Sequence, residues 1–451
     1  MDVLICNFPP MLSWYLPAAP AILAGACDWL DLRSDFIDFN LHTHELNTDI
    51  TKWADMINQK NPKLVAFSIF SYKSQQIANT LGYELKKLNP SIRIVAGGSG
   101  IKDCINGVVM QSDVIDYYIV GDGEVQWPEF LIKYFDLTHT ISVTGLDIPY
   151  SPDYSKYNVT FYQEQASKYN ITPYVPITGS RGCVRRCTFC EVPGRWDYVQ
   201  RTPAHIAIEI VKILEMLPNA HIHFTDSLVN GSLPAFNEMV DHLINIRQQY
   251  PTFTWGGQFI IRSAKQSGED YWKKIAESGA ANLEIGVETG SDRLRFEMKK
   301  NFYNADLTHS LGYMEKFNVT CIFLLFVGYP TEIIDDVVDT ALMFEKYAHL
   351  ANKIIKEVQL GYNMTIAPGT PVYNESKKNP HMILTKNPSI WFNKQNPTLT
   401  FNERIVRRQQ LQDKLIQLGY KLAFDNHQAL IESTYNYESN INIIKLIEKQ
   451  R

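Results

Sequence analysis

The sequence is short of the features that mark several whole classes of protein. Positive charge is not in excess, since 43 Lys and Arg stand against 48 Asp and Glu for a net of −5. A polybasic nucleic-acid binder is therefore excluded, because nonspecific phosphate affinity depends on clustered cations. Long apolar runs are missing too: Ala18 to Cys27 and Cys321 to Val327 both fall short of the ~18 residues of a membrane span. No positively charged segment precedes the first apolar run, Val3-Leu4-Ile5-Cys6, so a cytoplasmic location is expected. Low-complexity tracts and internal repeats are absent. The seven cysteines are an odd number, which in a chain with no secretion signal argues against a disulfide framework.

What remains is an ordinary globular composition, 45% hydrophobic and 20% charged over 451 residues. That length suggests about three domains, or one large barrel with additions. From Met1 to about Tyr150, short β-branched or apolar runs alternate with amphipathic stretches. The pattern predicts strands at Asp2 to Cys6, Asp35 to Phe39, Leu64 to Phe70, Ile92 to Ala96 and Asp116 to Val120. Helices are expected between them at Ala18 to Leu30, Trp53 to Gln59, Gln75 to Leu88 and Glu124 to Phe135. Five strands with helical crossovers imply a doubly wound, Rossmann-like α/β domain over residues 1–146. Its ligand edge is the carboxyl end of the strands, where Ser68, Gly97-Gly98-Ser99-Gly100 and Gly121-Asp122-Gly123-Glu124 fall. The first turn, Phe8-Pro9-Pro10, is not a Gly-x-Gly-x-x-Gly loop, so a dinucleotide site gains no support.

Residues 147–172, rich in Tyr, Pro and Ser and without periodicity, read as a linker. A second alternating series fills residues 173–371. Its strands are expected at Tyr174 to Thr178, His221 to Thr225, Phe253 to Phe259, Leu283 to Val287, Thr320 to Val327 and Val358 to Met364. Its helices are expected at Pro203 to Leu217, Leu233 to Tyr250, Glu269 to Ser278, Ala305 to Phe317 and Thr331 to Tyr347. Six such units imply a partial (β/α)6 barrel of the TIM type, with functional residues at the strand carboxyl ends. Residues 372–451 read as a mostly helical cap, with runs at Glu403 to Leu418 and Ile441 to Lys449.

Four cysteines, Cys6, Cys27, Cys104 and Cys321, are scattered through apolar stretches. The other three are clustered in Gly179-Ser180-Arg181-Gly182-Cys183-Val184-Arg185-Arg186-Cys187-Thr188-Phe189-Cys190, directly after the first strand of the second series. Thiolates at this Cys-x3-Cys-x2-Cys spacing can each bind one iron of a [4Fe-4S] cubane and leave the fourth iron without a protein ligand. A structural zinc would need a fourth ligand close by, and the next histidine, His205, is fifteen residues on. Arg181, Arg185 and Arg186 add positive charge beside the cluster; two adjacent arginines are also the ordinary dress of a solvated loop.

This stretch resembles the signature of the radical S-adenosylmethionine (SAM) superfamily. Further motifs similar to those of the family follow in order: His223-Phe224-Thr225-Asp226, Gly286-Val287-Glu288-Thr289-Gly290-Ser291 and Val327-Gly328-Tyr329-Pro330-Thr331-Glu332. The resemblance implies that Phe189 lies beside the adenine of SAM, that Asp226 accepts from its ammonium, and that Glu288 holds a ribose hydroxyl or the amine. It also implies that Arg262 faces the SAM carboxylate and that the turn at Gly328 packs on adenine. Singly, each residue has a structural alternative, such as a helix cap at Asp226 or Glu332 and a satisfied buried group at Glu288.

The likeness extends to the subgroup with an N-terminal cobalamin-binding domain, through Phe8-Pro9-Pro10, Leu64-Val65-Ala66-Phe67-Ser68-Ile69, Ile94-Val95-Ala96-Gly97-Gly98 and Ile119-Val120-Gly121-Asp122-Gly123-Glu124. It implies a cobalamin crevice lined by Ser68, Gly97, Gly98, Ser99, Gly121 and Gly123. The Asp-x-His-x-x-Gly motif that supplies an axial imidazole is absent, which fits cobalamin held without a His ligand and equally a domain that has lost the cofactor. By resemblance the function expected is a cobalamin-dependent radical SAM methyltransferase acting on a poorly activated carbon. Its substrate would be a small molecule or peptide, and its reductant a donor such as flavodoxin or ferredoxin. A rearrangement, cyclisation or oxidation, with or without cobalamin, is the alternative. A methylthiotransferase would need a second cysteine triad in the N-terminal domain, and a cluster-based or cobalamin-based sensor would not need Asp226 and Glu288 to orient SAM.

Overall fold

The computed structural model describes residues 1–9, 12, 14–42, 49–102, 109, 111–192 and 197–423. The expected helix at Ile441 to Lys449 and Cys104 lie outside them. The chain divides into two compact units, Met1–Ile177 with Ala204–His223, and Thr178–Pro203 with Phe224–Arg451. Both follow the mixed α/β plan with parallel sheets that the alternating pattern implies.

In the first unit, β1 (Val3–Asn7), β2 (Ser34–Asp38), β3 (Leu64–Ser68), β4 (Ile94–Gly97) and β5 (Tyr117–Ile119) form one sheet of order β2-β1-β3-β4-β5. All four neighbouring pairs are parallel. Helices α1 (Ala18–Trp29), α2 (Ile50–Lys60) and α3 (Tyr72–Leu88) connect successive strands, and α4 (Gly123–Tyr134) follows β5 rather than lying between two strands of this sheet. The unbroken apolar run of β1 follows from burial on both faces. Leu4 and Cys6 enter one core with Trp53 and Ile57 of α2 and Leu81 and Leu85 of α3. Val3 and Ile5 enter the other with Ala24 and Cys27 of α1 and Trp127 and Leu131 of α4.

The region read as a linker contains helix α5 (Val159–Ser167), capped by Asn158 accepting from the Phe161 N–H. Its Tyr162, fully buried, donates to Asp38 at the end of β2, and Asn7 donates to the same carboxylate at 3.0 Å. Burial of one tyrosine thus fixes a helix whose sequence has little apolar periodicity. The unit also holds β6 (Tyr174–Ile177), and β9 (His221–Phe224) begins in it.

In the second unit a two-stranded ribbon, β7 (Ser180–Arg181) with β8 (Val199–Gln200), brackets the cysteine loop. Helix α6 (Pro203–Met216), which from Ala204 belongs to the first unit, leads on to β9, and the remaining strands of the series, all in the second unit, are β10 (Thr254–Phe259), β11 (Leu283–Glu288), β12 (Cys321–Val327) and β13 (Ile355–Asn363). These four pair in parallel and in chain order. Between them run α7 (Leu233–Gln249), α8 (Glu269–Glu277), α9 (Asp292–Glu297), α10 (Asn304–Phe317) and α11 (Ile334–Lys346). Burial alternates strictly along β12: Cys321, Phe323, Leu325 and Val327 are buried, whereas Ile322, Leu324 and Phe326 are partly open. The period of two reports one face packed against helices and one face lining an interior.

Over its described residues, up to 423, the C-terminal region mixes helices with a hairpin. After α12 (Pro371–Lys378) comes a hairpin, β14 (Met382–Leu384) with β15 (Trp391–Asn393), and then α13 (Phe401–Gln417). Trp391 is fully buried, donates to the Met364 carbonyl at 2.9 Å, and carries the Arg404 guanidinium 3.8 Å from its ring centroid. It is core rather than a pocket wall, while Phe392 points outward. Among the described residues no helix is long and apolar enough to cross a membrane.

Candidate functional site

The cysteine loop is held from several sides. Asp226, just beyond β9, accepts from the Gly179 N–H and from Ser180 Oγ, both at 2.6 Å. Both of its oxygens are therefore spent on the entry to the loop. It is almost fully buried, and burial pushes its carboxyl up to about 6 against the pull of those bonds. Further along, Thr188 donates its N–H to the Met298 carbonyl at 3.1 Å and receives the Val372 N–H at 2.8 Å. The Thr188 hydroxyl also meets Tyr329 OH at 2.9 Å.

Cys183, Cys187 and Cys190 are free thiols within electrostatic reach of one another. Burial pushes Cys187 up to about 11 and raises Cys190 as well, so metal must displace protons to bind there. Among the described residues no three His, Cys, Asp or Glu side chains close on a single ion position. A cubane does not require that, because each thiolate takes a different iron. The donor set, three thiols on one braced loop, fits such a cluster. His205, the nearest histidine in sequence, pairs instead with Asp147 at 3.1 Å.

Phe189 is half-buried and meets Phe326 of β12 edge to face, with centroids 5.1 Å apart. Glu288 closes β11 at a register shift between Gly286 and Glu288 and has a φ of 63°. A left-handed glutamate at a strand end is costly, and such strain concentrates at functional positions. Its Oε1 accepts from Lys300 Nζ at 2.8 Å. Both side chains are largely buried. Burial opposes the charge of Lys300, but Glu288 and Cys187 more than compensate and raise its pKa.

Arg262 donates Nη2 to the Asn230 and Gly231 carbonyls, while its buried Nε has no hydrogen-bond partner among the described residues. Arg185 stands within electrostatic range of Arg262 and of Cys183 and Cys187, and burial and Arg262 lower its pKa. Its neighbour Arg186 is exposed, as a solvated loop face requires. Gly328 is covered: a Cβ there would lie 2.3 Å from Arg404 Cδ, and φ is +93°. Its N–H donates to Glu332 at 2.8 Å. The glycine thus fixes the turn that brings Tyr329 to Thr188.

The second set of expected residues gathers in the first unit. Ser68, Gly97, Gly98, Gly121 and Gly123 all line one cleft of about 160 Å³, closed by Ile22, Leu23 and Trp127. Ser99 is not among the lining residues; its hydroxyl donates to the Phe70 carbonyl at 2.8 Å. Gly98 is there for the backbone, with φ +101° and a virtual Cβ 2.4 Å from the Ile69 carbonyl oxygen. Gly123 differs, since a Cβ there meets nothing within 4 Å. At Gly123, where no side chain intervenes, the cleft admits a ligand close to the backbone, which fits a cofactor's tail.

Comparison with known proteins agrees with this geometry. Residues 177–344 match the family model of the radical SAM superfamily. The chain is 23% identical, over 351 residues, to the tRNA-2-methylthio-N(6)-dimethylallyladenosine synthase of Vesicomyosocius okutanii, covering 74% of this chain and 73% of that one. An uncharacterized methyltransferase of Pyrococcus horikoshii is 20% identical over 363 residues, covering 74% and 73%. Among solved structures, the radical SAM methyltransferase TsrM of Kitasatospora setae, with tryptophan substrate and a SAM analogue bound, aligns with a TM-score of 0.64 at 14% identity. It covers 96% of this chain and 99% of that one. The cobalamin-dependent radical SAM enzyme OxsB aligns at 0.59 and 14% identity, over 83% of this chain and 54% of that one.

Proposed function

We propose, on the premise that this chain carries a radical SAM domain over residues 177–344, that it is a cobalamin-dependent radical SAM methyltransferase acting on a poorly activated carbon. The observation that carries the cobalamin reading is the glycine-lined cleft at the carboxyl ends of β3, β4 and β5. In this reading Cys183, Cys187 and Cys190 hold the cluster, and the cleft takes the nucleotide tail of cobalamin. When bound, these groups and SAM supply a carbon-centred radical and a transferable methyl group. The protein's own part is to orient and shield them. Asp226 keeps the loop entry in place, Glu288 accepts from a hydroxyl or the amine of SAM, and Arg262 offers its spare Nε to the SAM carboxylate. Phe189 gives adenine an aromatic neighbour, and Gly328 holds the turn that braces the loop. The substrate would be a small molecule or peptide, and reduction would come from a flavodoxin or ferredoxin type of donor.

Anaerobic purification with cobalamin supplied, followed by cofactor quantitation and mass spectrometry of SAM-derived products, tests the proposal. Near-stoichiometric cobalamin that acquires labelled methyl from SAM is the expected result. A folded, iron-loaded protein that binds no cobalamin would replace it with a cobalamin-free radical reaction.

The methylthiotransferase named among the relatives is the second reading. It requires a second triad, and the N-terminal thiols speak against one. Cys6 and Cys27 are fully buried in the cores on opposite faces of the sheet. Burial raises both thiols, Cys27 to about 12.

A further inference from the structure

Lys300 belongs to none of the recognised motifs, yet it is a buried cation near the cysteine loop. Its ammonium lies 5.8 Å from the centroid of the Phe189 ring, within cation–π range, and 2.8 Å from Glu288 Oε1. The neighbouring strand leaves room for it. A side chain at Gly286 would bring a Cβ to 2.9 Å from Lys300 Nζ and 2.4 Å from Glu288 Oε1. A glycine inside a strand marks a close approach of this kind. Of the two charges in the pair, the ammonium is the one that stands over the ring of Phe189, the residue between Thr188 and Cys190 on the cysteine loop.

A cubane on three thiolates carries net charge −1 when oxidised and −2 after accepting one electron from an external one-electron donor. A fixed neighbouring cation favours the more negative form. We propose that Lys300 is a positioning residue that, locked by Glu288 and the Phe189 ring, raises the reduction potential of the cluster held by Cys183, Cys187 and Cys190. This rests on the cluster reading above and adds to it a residue that makes reduction easier without touching SAM or substrate.

The experiment is a redox titration, followed by electron paramagnetic resonance, of the anaerobically reconstituted full chain without SAM. Lys300→Gln should load iron normally yet show an about tenfold lower ratio of reduced to oxidised cluster at the wild-type midpoint, equivalent to 59 mV for one electron. Lys300→Arg, which keeps the charge, should restore the ratio to within about twofold. The double variant Lys300→Gln/Glu288→Gln removes both charges while leaving no unpaired buried ion, and it should also fall below wild type. An unchanged midpoint in the iron-loaded single and double variants would overturn the proposal. So would loss of iron in Lys300→Gln, because Lys300 would then be a structural support of the loop. A wild type that takes up no cluster fails at the earlier step and removes the cluster reading itself.

Discussion

At the scale of single residues, buried polar side chains in this protein hold geometry more than they offer free valences. Asp226 is the clearest case, because its two oxygens hold the Gly179 N–H and the Ser180 hydroxyl. Asp226→Ala should leave both buried donors unpaired, at ~1–3 kcal/mol each, and loosen the loop that carries Cys183. Iron content after anaerobic reconstitution should fall along with SAM affinity. Full iron with weakened SAM binding alone would instead assign Asp226 to SAM. His221 of β9 makes a different prediction. Burial and the neighbouring His223 lower its pKa from 6.5 to about 3, and its ring lies 4.3 Å from Tyr174. The unfolded ring takes up a proton at 6.5 while the folded one stays neutral to about 3. The unfolded state therefore binds more protons in that window, and stability falls as the pH drops through it, by ~1.4 kcal/mol per unit. Comparing the pH dependence of the unfolding midpoint in wild type and His221→Phe between pH 6 and 4 checks this. The variant should lose about one proton's worth of the acid slope, and parallel curves would refute the assignment.

At the scale of elements, the glycine turns at the carboxyl ends of β4 and β5 do two different jobs that their sequence does not separate. Gly98→Ala should destabilise the first unit, since the residue needs φ +101° and the Ile69 carbonyl blocks a Cβ. Gly123→Trp, at the start of α4, meets open space and should fill the cleft while leaving the fold intact. Circular dichroism and cobalamin quantitation distinguish them: Gly123→Trp is expected to keep its melting midpoint and lose cobalamin. A Gly123→Trp variant that still binds one cobalamin would move the site elsewhere. The same contrast shows what is legible in a sequence. The strands and helices of both series were legible because each buries apolar residues at period two or 3.6. Helix α5 escaped because its burial rests on Tyr162 reaching Asp38, a contact 124 residues apart in the chain. The hairpin β14–β15 escaped because its strands are three residues long. Lys300 lies twelve residues beyond Glu288, and α9 with its following turn brings them together. The available hint was Gly286, an interior glycine on the face that Glu288 extends.

At the scale of the whole molecule, the number of clusters decides between the two readings that the relatives' names suggest. Seven cysteines are present, and three share the braced loop. Cys6 and Cys27 sit in separate cores, and Cys321 is fully buried in β12, where burial raises its thiol. A thiol in such surroundings is a small apolar side chain, not a ligand. Taking iron from Cys6 and Cys27 together would require opening a sheet whose every neighbouring pair is a parallel ladder. The protein should therefore hold one cubane, about four irons per chain, with a single broad visible absorption. Replacing Cys183, Cys187 and Cys190 together by Ala should remove all of it, since the other thiols among the described residues, Cys6, Cys27 and Cys321, are buried apart in apolar cores. Iron and sulfide analysis of both proteins after identical anaerobic reconstitution makes the test quantitative. About eight irons in the wild type, with about four surviving in the triple variant, would establish a second cluster and return the methylthiotransferase reading to first place. Stoichiometric zinc without iron would remove both.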